Sequence, residues 1–279
     1  MSTIPVFVAT DDKYLMQTYV CLQSILDNVA KENSYKIYVL SLIKDTSKIQ
    51  IFNNLNRENF TIEFVKMEEM FSKAPELLDK NILSYLPPST FSRVFIPDLF
   101  PNVDKAVYLD VDTIVNIDIA ELFNINLEDN IIAGIHDWGV SLDVDLIDFI
   151  SLTLGVPLEK YFNGGVLVLN SKKMREEGFF DLCMNVVKYI GRTFCADQDV
   201  LNVVCQDNTL LLNSEYNVAT KCFLTPEKFK DYIGSIKEFK IIHYNTPDEW
   251  RPWNNEKCPL KKYFWNVAKK TPFYNELLP

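Results

Sequence analysis

The sequence predicts an α/β fold: a mostly parallel central sheet with helices on both faces. Three observations carry that expectation. Compact β-branched and aromatic runs alternate with stretches of helical spacing through the first hundred residues. The links between them are short, as in strands joined by crossover helices. Two apolar runs end abruptly in carboxylates, at Thr10-Asp11-Asp12 and at Leu109-Asp110-Val111-Asp112, and open α/β sheets bind ligands at the carboxyl ends of their strands.

Taken in order, Ile4 to Thr10 is a first buried strand, and Leu15, Tyr19, Leu22, Ile25 and Leu26 recur at helical spacing behind it. Ser34 to Leu42 is a second strand. Ser47-Lys48-Ile49-Gln50 has the spacing of a capping box opening another helix, and Thr61 to Lys66 is a third strand. This first part reads as a nucleotide-binding half. Neither G-x-G-x-x-G nor G-x-x-x-x-G-K-[ST] occurs, so no glycine loop cradles phosphates and a metal or local cations must hold them. Pro87 and Pro88 break the chain before a helix capped by Ser89, which carries Arg93 in an apolar setting. That arginine either pairs with a core carboxylate or holds an active-site acid or a phosphate.

Beyond the strand that ends at Asp110, Ile117 to Phe123 is a short helix and Ile131 to His136 a strand. Asp137 to Leu154 is a helical excursion over the site. Asn163-Gly164-Gly165 stands ahead of the buried strand Val166 to Asn170, either as a plain turn or as backbone approaching a ligand, with Asn163 offering its amide to sugar hydroxyls. Met174 to Gly191 is helical, and Cys195 to Asn202 begins the next helix. Asp197, Gln198 and Asp199 there either complement the helix dipole or meet a hydroxyl-rich ligand. In Ile241-Ile242-His243-Tyr244-Asn245-Thr246, His243 stands at the end of a last apolar strand.

Composition narrows the function. The net charge of −10 excludes a basic footprint for nucleic acid. Six cysteines without a C-x-x-C pair read as reduced thiols. The N-terminus lacks a basic region, and its apolar stretch is too short for a signal peptide or membrane span, so a cytoplasmic location is expected.

The chemistry centres on Asp110 and Asp112. In extended backbone side chains two apart point the same way, with Val111 turned away. Two close carboxylates repel unless a cation lies between them, and hard oxygen ligands suit Mg²⁺ or Mn²⁺. A nucleotide diphosphate is the usual third party. The alternative is an acidic strand end with no ligand. His243 is a satisfied structural histidine or the third ligand, and Arg251 is a donor fork suited to a diphosphate.

With these pieces in order, the chain resembles glycosyltransferase family 8, the retaining enzymes that include glycogenin and bacterial lipopolysaccharide galactosyl- and glucosyltransferases. The likeness runs nearly end to end through F-V-A-T-D-D-K-Y, S-x-x-x-R-V, Y-L-D-V-D, F-N-G-G-V-L, D-Q-D-V-L-N and the late H-Y. It implies a GT-A type fold and metal-dependent transfer of a hexose from a UDP-sugar donor to a glycan acceptor, with Mn²⁺ or Mg²⁺ on Asp110, Asp112 and His243. It also assigns Ala9, Asp11, Tyr14, Val111 and Asp110 to the nucleotide. Arg93, Asn163, Asp197 and Gln198 fall on its donor-sugar and reaction-centre positions.

Two departures stand out. Lys13 replaces the asparagine common in the uridine loop, and the family's H-x-x-G-x-x-K-P-W becomes the longer H-Y-N-T-P-D-E-W-R-P-W, without the glycine and with Arg251 for lysine. The expected division is a catalytic domain over 1–250 and a C-terminal extension over 251–279. Its lysines and aromatics either meet a membrane interface, at the inner face where a lipid-linked acceptor would lie, or pack on the domain. Two other functions compete: a haloacid-dehalogenase-like phosphatase, which wants Thr where Ile114 stands, and a non-catalytic nucleotide-sugar binder.

Overall fold

The N-terminal apolar run forms β1 (Thr3–Thr10), whose side chains divide by parity. Ile4, Val6 and Val8 enter one apolar layer, while Phe7 and Ala9 enter the other. The computed structural model, which describes residues 3–68 and 88–278, repeats that division at the centre of the sheet. In β4 (Ala106–Leu109), Val107 and Leu109 face one layer and Ala106 and Tyr108 the other. A strand covered on both faces must be apolar at every position, so runs rather than alternation mark these strands in the sequence.

The remaining strands are β2 (Ser34–Ser41), β3 (Phe60–Lys66), β5 (Thr113–Val115), β6 (Ile132–His136), β7 (Phe162–Leu169), β8 (Thr209–Leu212), β9 (Val218–Ala219) and β10 (Ile241–His243). Seven of the ten form one sheet in the order β3-β2-β1-β4-β7-β6-β8. All neighbours in it are parallel except around β7, which runs against both β4 and β6. A small second sheet, β5-β10-β9, stands beside it. The expected mostly parallel sheet between two helical layers is therefore present.

Several local expectations change. The segment after β2 is a 3-10 helix, Thr46–Leu55, and its cap is Asp45, which accepts from the Ser47 amide at 3.1 Å and the Ser47 hydroxyl at 2.6 Å. Ser47 thus donates to the cap and forms no capping box. The helix expected to start at Ser89 starts at Pro88, where a missing N–H costs nothing; the break expected at Pro87 lies outside the described residues. Asn163, Gly164 and Gly165 sit inside β7 and not in a turn before it. The helix expected over Met174 to Gly191 is two, Ser171–Glu176 and Phe179–Ile190, separated at Gly178 with φ +66°. The excursion after β6 is helical in three short pieces between Trp138 and Thr153.

The C-terminal helix Lys261–Ala268 turns Phe264, Val267 and Ala268 into the same apolar layer as β1 and β4. Tyr263, Trp265 and Tyr274 pack against that layer too, leaving Lys262, Lys269 and Lys270 in solvent. Its aromatics face the core, which removes the side that a membrane interface would need. Among the described residues no helix is long and apolar enough to cross a membrane.

We propose that residues 251–278, although separable on the sequence, fold as one cooperative unit with the rest. Phe264 is 2% exposed and its ring lies 6.0 Å from Tyr244 and 5.2 Å from Trp253. Phe264→Ala should lower the unfolding free energy by about 3–5 kcal/mol in a single transition. Urea unfolding followed by tryptophan fluorescence and by far-ultraviolet dichroism checks this, and two separated transitions would contradict it.

A candidate metal and nucleotide site

β1 and β4 are paired in parallel, with Val8 opposite Leu109, so the chain beyond each emerges at the same sheet edge. β7 runs the other way, which brings its first residues to that edge: the Asp110 amide donates to the Gly165 carbonyl at 2.8 Å. β4 stops at Leu109, and Val111 and Asp112 form a turn where extended backbone was expected. The reason is that the chain leaves the main sheet here for β5. The Thr113 hydroxyl donates to the Asp110 carbonyl at 2.7 Å and the Tyr244 amide to the Asp112 carbonyl at 2.9 Å, which fixes the turn. β10 pairs with β5 in antiparallel register, His243 opposite Thr113, and so delivers the histidine. One ligand atom each from Asp110, Asp112 and His243 then lies within 4.8 Å of the others.

Each carboxylate has one oxygen committed and one aimed inward. Asp110 Oδ1 accepts from Arg93 Nη2 and from the Tyr108 hydroxyl, both at 3.0 Å, while its Oδ2 lies 3.8 Å from His243 Nε2. Asp112 Oδ2 pairs with Arg251 Nη1, and its Oδ1 is 3.1 Å from His243 Nε2. Burial works against ionising Asp112, but a protonated His243 ring and the Arg251 guanidinium outweigh it and hold the carboxyl well below its ordinary range when no cation occupies the space. A Cβ on Gly165 would collide with the His243 ring and come within 2.9 Å of Asp110 Oδ2, so only glycine leaves the space beside the triad open. Two carboxylate oxygens and an imidazole nitrogen around a kept space fit a divalent cation such as Mn²⁺ or Mg²⁺.

A cleft of about 200 Å³ opens from this point, lined among others by Ala9, Asp11, Tyr14, Val111, Asp112 and Arg251. Asp11 caps the turn Asp12–Tyr14, accepting from the amides of Lys13 at 3.0 Å and Tyr14 at 3.3 Å. The Arg251 guanidinium lies 5.6 Å from the ring centres of both Tyr14 and Trp253. The two departures from the family pattern meet here. Lys13 Nζ pairs with Asp248, in the lengthened loop, at 2.5 Å; Tyr14 reaches the same carboxylate at 3.4 Å and Arg251 Nε at 3.2 Å.

Behind the triad lies a buried polar network. Arg93, 5% exposed, donates Nε to the Thr90 carbonyl at 3.0 Å with Asp197 Oδ2 2.7 Å from the same nitrogen as an ion pair, and directs Nη2 at Asp110 and Nη1 at the Gly164 carbonyl, over the Tyr108 ring at 4.2 Å. The arginine is therefore a core ion pair, made to Asp197 and to Asp110 of the Asp-Asp-His cluster. Burial pushes the Asp197 carboxyl up, the Arg93 charge opposes, and the nearby Asp110 adds to the rise, leaving it at about 6. Gln198 donates to Asp137 Oδ2 at 3.1 Å and accepts from the Gly164 amide at 2.9 Å and from Asn163 at 3.1 Å.

The free amide expected of Asn163 is committed within the protein. Its Nδ2 donates to Asp137 at 3.0 Å and to Gln198, and its Oδ1 accepts from the Gly165 amide and from Asn217, both at 2.9 Å. Asp199 is likewise engaged, by the Tyr161 hydroxyl and the amides of Phe194 at 2.7 Å and Cys195 at 2.8 Å. It braces the loop in which Ala196 takes φ +52°, so only two of the three consecutive acceptors face the site region.

Sequence reasoning missed Asp137, Lys221 and Asn217. The signal for Asp137 was available, because it is a third carboxylate following a buried strand. Its Oδ1 lies 2.9 Å from Lys221 Nζ and accepts from the Gly139 amide at 2.9 Å. A Cβ on Gly139 would overlap the Lys221 side chain, so the glycine admits the lysine to the acid.

Burial alone would raise the Asp137 carboxyl, but Lys221 and its hydrogen-bond donors hold it at about 2, below the ordinary 3.8. The pair therefore contributes stability above the ordinary value that is lost as pH falls towards 2. Lys221→Met leaves a buried, uncompensated carboxylate and should cost about 3 kcal/mol at neutral pH. Burial without the cation raises the carboxyl above its ordinary range, so this variant should gain stability on acidification through that raised value, opposite to the parent contribution. Urea midpoints of both proteins across pH check the sign.

The sequence profile described as Glycosyl transferase family 8 matches residues 5–257. The lipopolysaccharide 1,2-glucosyltransferase of Escherichia coli K12 is 26% identical over 252 residues, covering 81% of this chain and 73% of that protein. Among solved structures, the WbbM bifunctional glycosyltransferase superposes with a TM-score of 0.80 at 27% identity, over 99% of this chain. The chain spans about half of that protein, 51%. The galactosyltransferase LgtC, solved with donor and acceptor sugar analogues, superposes at 0.78 and 20% identity over 99% of this chain and all of that one, which shows a common GT-A fold. With the profile covering the chain from β1 past the Asp110, Asp112 and His243 cluster, the protein belongs to glycosyl transferase family 8.

Proposed function

We propose that the protein is a metal-dependent, retaining hexosyltransferase that moves glucose or galactose from a UDP-sugar to a glycan acceptor. The observation that carries this reading is the convergence of Asp110, Asp112 and His243 at the mouth of the cleft that Asp11 and Tyr14 line. Tyr14 and Asp11 receive the uridine, the first by its ring and the second by hydrogen bonding. A divalent cation on the triad, Mn²⁺ or Mg²⁺, supplies fixed positive charge for the diphosphate as it departs. Arg251, 5.6 Å from the ring centres of Tyr14 and Trp253, adds a donor fork on the same side.

On the sugar side Asp197 and Gln198 orient the donor, with Arg93 holding Asp197. The Gln198 oxygen already accepts two hydrogen bonds, which withdraws electron density from a group that is a weak nucleophile to begin with. This favours attack by the acceptor on the face the leaving group vacates, with the donor phosphate taking the acceptor proton. The name of the E. coli relative, a lipopolysaccharide glucosyltransferase, supports a lipopolysaccharide or other cell-surface glycan as acceptor. The phosphatase reading loses its support, since Ile114 lies buried in β5 where that motif wants a threonine. A nucleotide-sugar binder without catalysis remains the competing function, and it forms no glycoside product.

Asp112→Ala should lower turnover at least about a hundredfold, roughly 2.7 kcal/mol of barrier, and chelation of the parent should do the same until Mn²⁺ is returned. Steady-state kinetics with UDP-glucose and UDP-galactose make the measurement; full turnover in chelator sinks the metal role. Asp197→Ala should lose rate severely while calorimetry still registers UDP binding. If UDP binding disappears with it, the residue belongs with the nucleotide and not with the sugar.

A further inference from the structure

We infer that Asn217 is a positioning residue that sets which ring nitrogen of His243 carries the proton, and that its own orientation is dictated from Asp137 through Asn163. The inference rests on the reading that the triad holds a divalent cation. Asp137, Asn163, Asn217 and His243 form one chain of contacts, and all four are at most 9% exposed, so water does not compete for their polar atoms.

The direction of every hydrogen bond in that chain follows from two groups that can act in only one way. The Asp137 carboxylate, paired with Lys221, accepts and cannot donate, so the side of Asn163 facing it at 3.0 Å must be the NH₂. The Gly165 backbone amide can only donate, so the side of Asn163 facing it at 2.9 Å must be the oxygen. These two constraints agree and settle the amide, which geometry by itself leaves ambiguous. Asn217 meets that same oxygen at 2.9 Å and must present its NH₂. Its oxygen is then the atom 3.0 Å from His243 Nδ1, so Nδ1 carries a proton to donate. A neutral imidazole, the form that ligates a cation, is then left with the lone pair on Nε2, the atom that faces Asp110 and Asp112; with no cation between them, Asp112 Oδ1 at 3.1 Å can hold a second proton there instead.

An ordinary histidine is free to place its proton on either nitrogen. Here the wrong tautomer would put two acceptors face to face at Nδ1 and a proton in the space between the carboxylates. Partners of this kind commonly tune metal affinity by about 10–100-fold. The same carboxylate also receives Gln198 at 3.1 Å, so one buried anion orders both the imidazole and the carboxamide proposed to face the sugar.

Nitrogen-15 imidazole spectra test this without any turnover, because the chain holds only two histidines, His136 and His243. His136→Gln assigns the signals. With the rings neutral, the parent protein should show His243 protonated at Nδ1 and bare at Nε2; a His243 protonated at Nε2 overturns the relay whatever else the protein does. Asn217→Leu, checked for folding by its melting temperature, should lose that tautomer preference and bind Mn²⁺, read by electron paramagnetic resonance, about 10–100-fold more weakly. A folded Asn217→Leu that binds Mn²⁺ like the parent also overturns it. The Nδ1 tautomer in a parent protein that takes up no Mn²⁺ supports the relay and removes the cation instead, so the two ideas fail separately.

Discussion

The buried guanidinium of Arg93 is the contact around which the site is assembled. It touches Asp110 of the Asp-Asp-His cluster, Asp197 at the start of the helix 197–205 and the Gly164 carbonyl of β7, with the Tyr108 ring beneath it. Removing a full charge from water is unfavourable unless its donors are satisfied, and here three elements distant in sequence must close together to satisfy them. Folding of the helices around residue 93, the end of β4, the start of β7 and the helix at 197–205 is thereby tied to one side chain. A chain with net charge −10 has carboxylates in excess; what it must place with care is its cations. Arg93, Lys221 and Arg251 each serve a carboxylate that would otherwise be isolated, and together they set which oxygens remain for a ligand.

The reversal of β7 is what makes those contacts possible. In a wholly parallel sheet the neighbour of β4 would present its carboxyl end beside Asp110. Because β7 runs the other way, it presents its first residues, and Gly164 and Gly165 can bring bare backbone against Arg93 and the triad. The two glycines were expected either as a plain turn or as backbone approaching a ligand; in the fold the approach is made to His243, Asp110 and Arg93 of the protein itself. Paired glycines within a fully buried strand are costly in conformational entropy, and the absence of room for a Cβ at Gly165 accounts for that residue.

How much of this was legible in the sequence depends on how local the determining contacts are. β1, the helix behind it, β2 and β3 are compact apolar runs with short links, and their bounds follow from the residues themselves. His243 could be placed at the end of β10 for the same reason. The second sheet could not be read, because β9 has two residues and β5 and β10 three each, and strands so short are specified by partners far along the chain. The turn at Val111 and Asp112 follows from that sheet and was hidden with it. Asp137 follows a buried strand and so carried a signal, but a lone lysine such as Lys221 carries none, and only the fold reveals that the two are one buried pair. The Asp-Gln-Asp run shows the converse error, in which three adjacent polar residues suggested one purpose, while helical geometry sends Asp199 inward to brace the loop and leaves Asp197 and Gln198 at the site.

The two departures from the family pattern become intelligible once they are seen to touch. Lys13 standing alone looks like a lost uridine contact, and the lengthened loop before Trp253 looks like a lost phosphate contact. In the folded chain the longer loop carries Asp248 back to Lys13 and Tyr14, and the same carboxylate approaches Arg251 Nε. The Lys13 and Asp248 side chains are 65% and 50% exposed, so their attraction is screened and contributes under about 1 kcal/mol to stability. Its consequence is positional. Lys13 is drawn towards the loop, from which Arg251 reaches both Asp112 and the ring of Tyr14. The two changes are thus joined in the fold: Asp248 of the longer loop meets both Lys13 and Arg251, and Arg251 holds its guanidinium over Asp112.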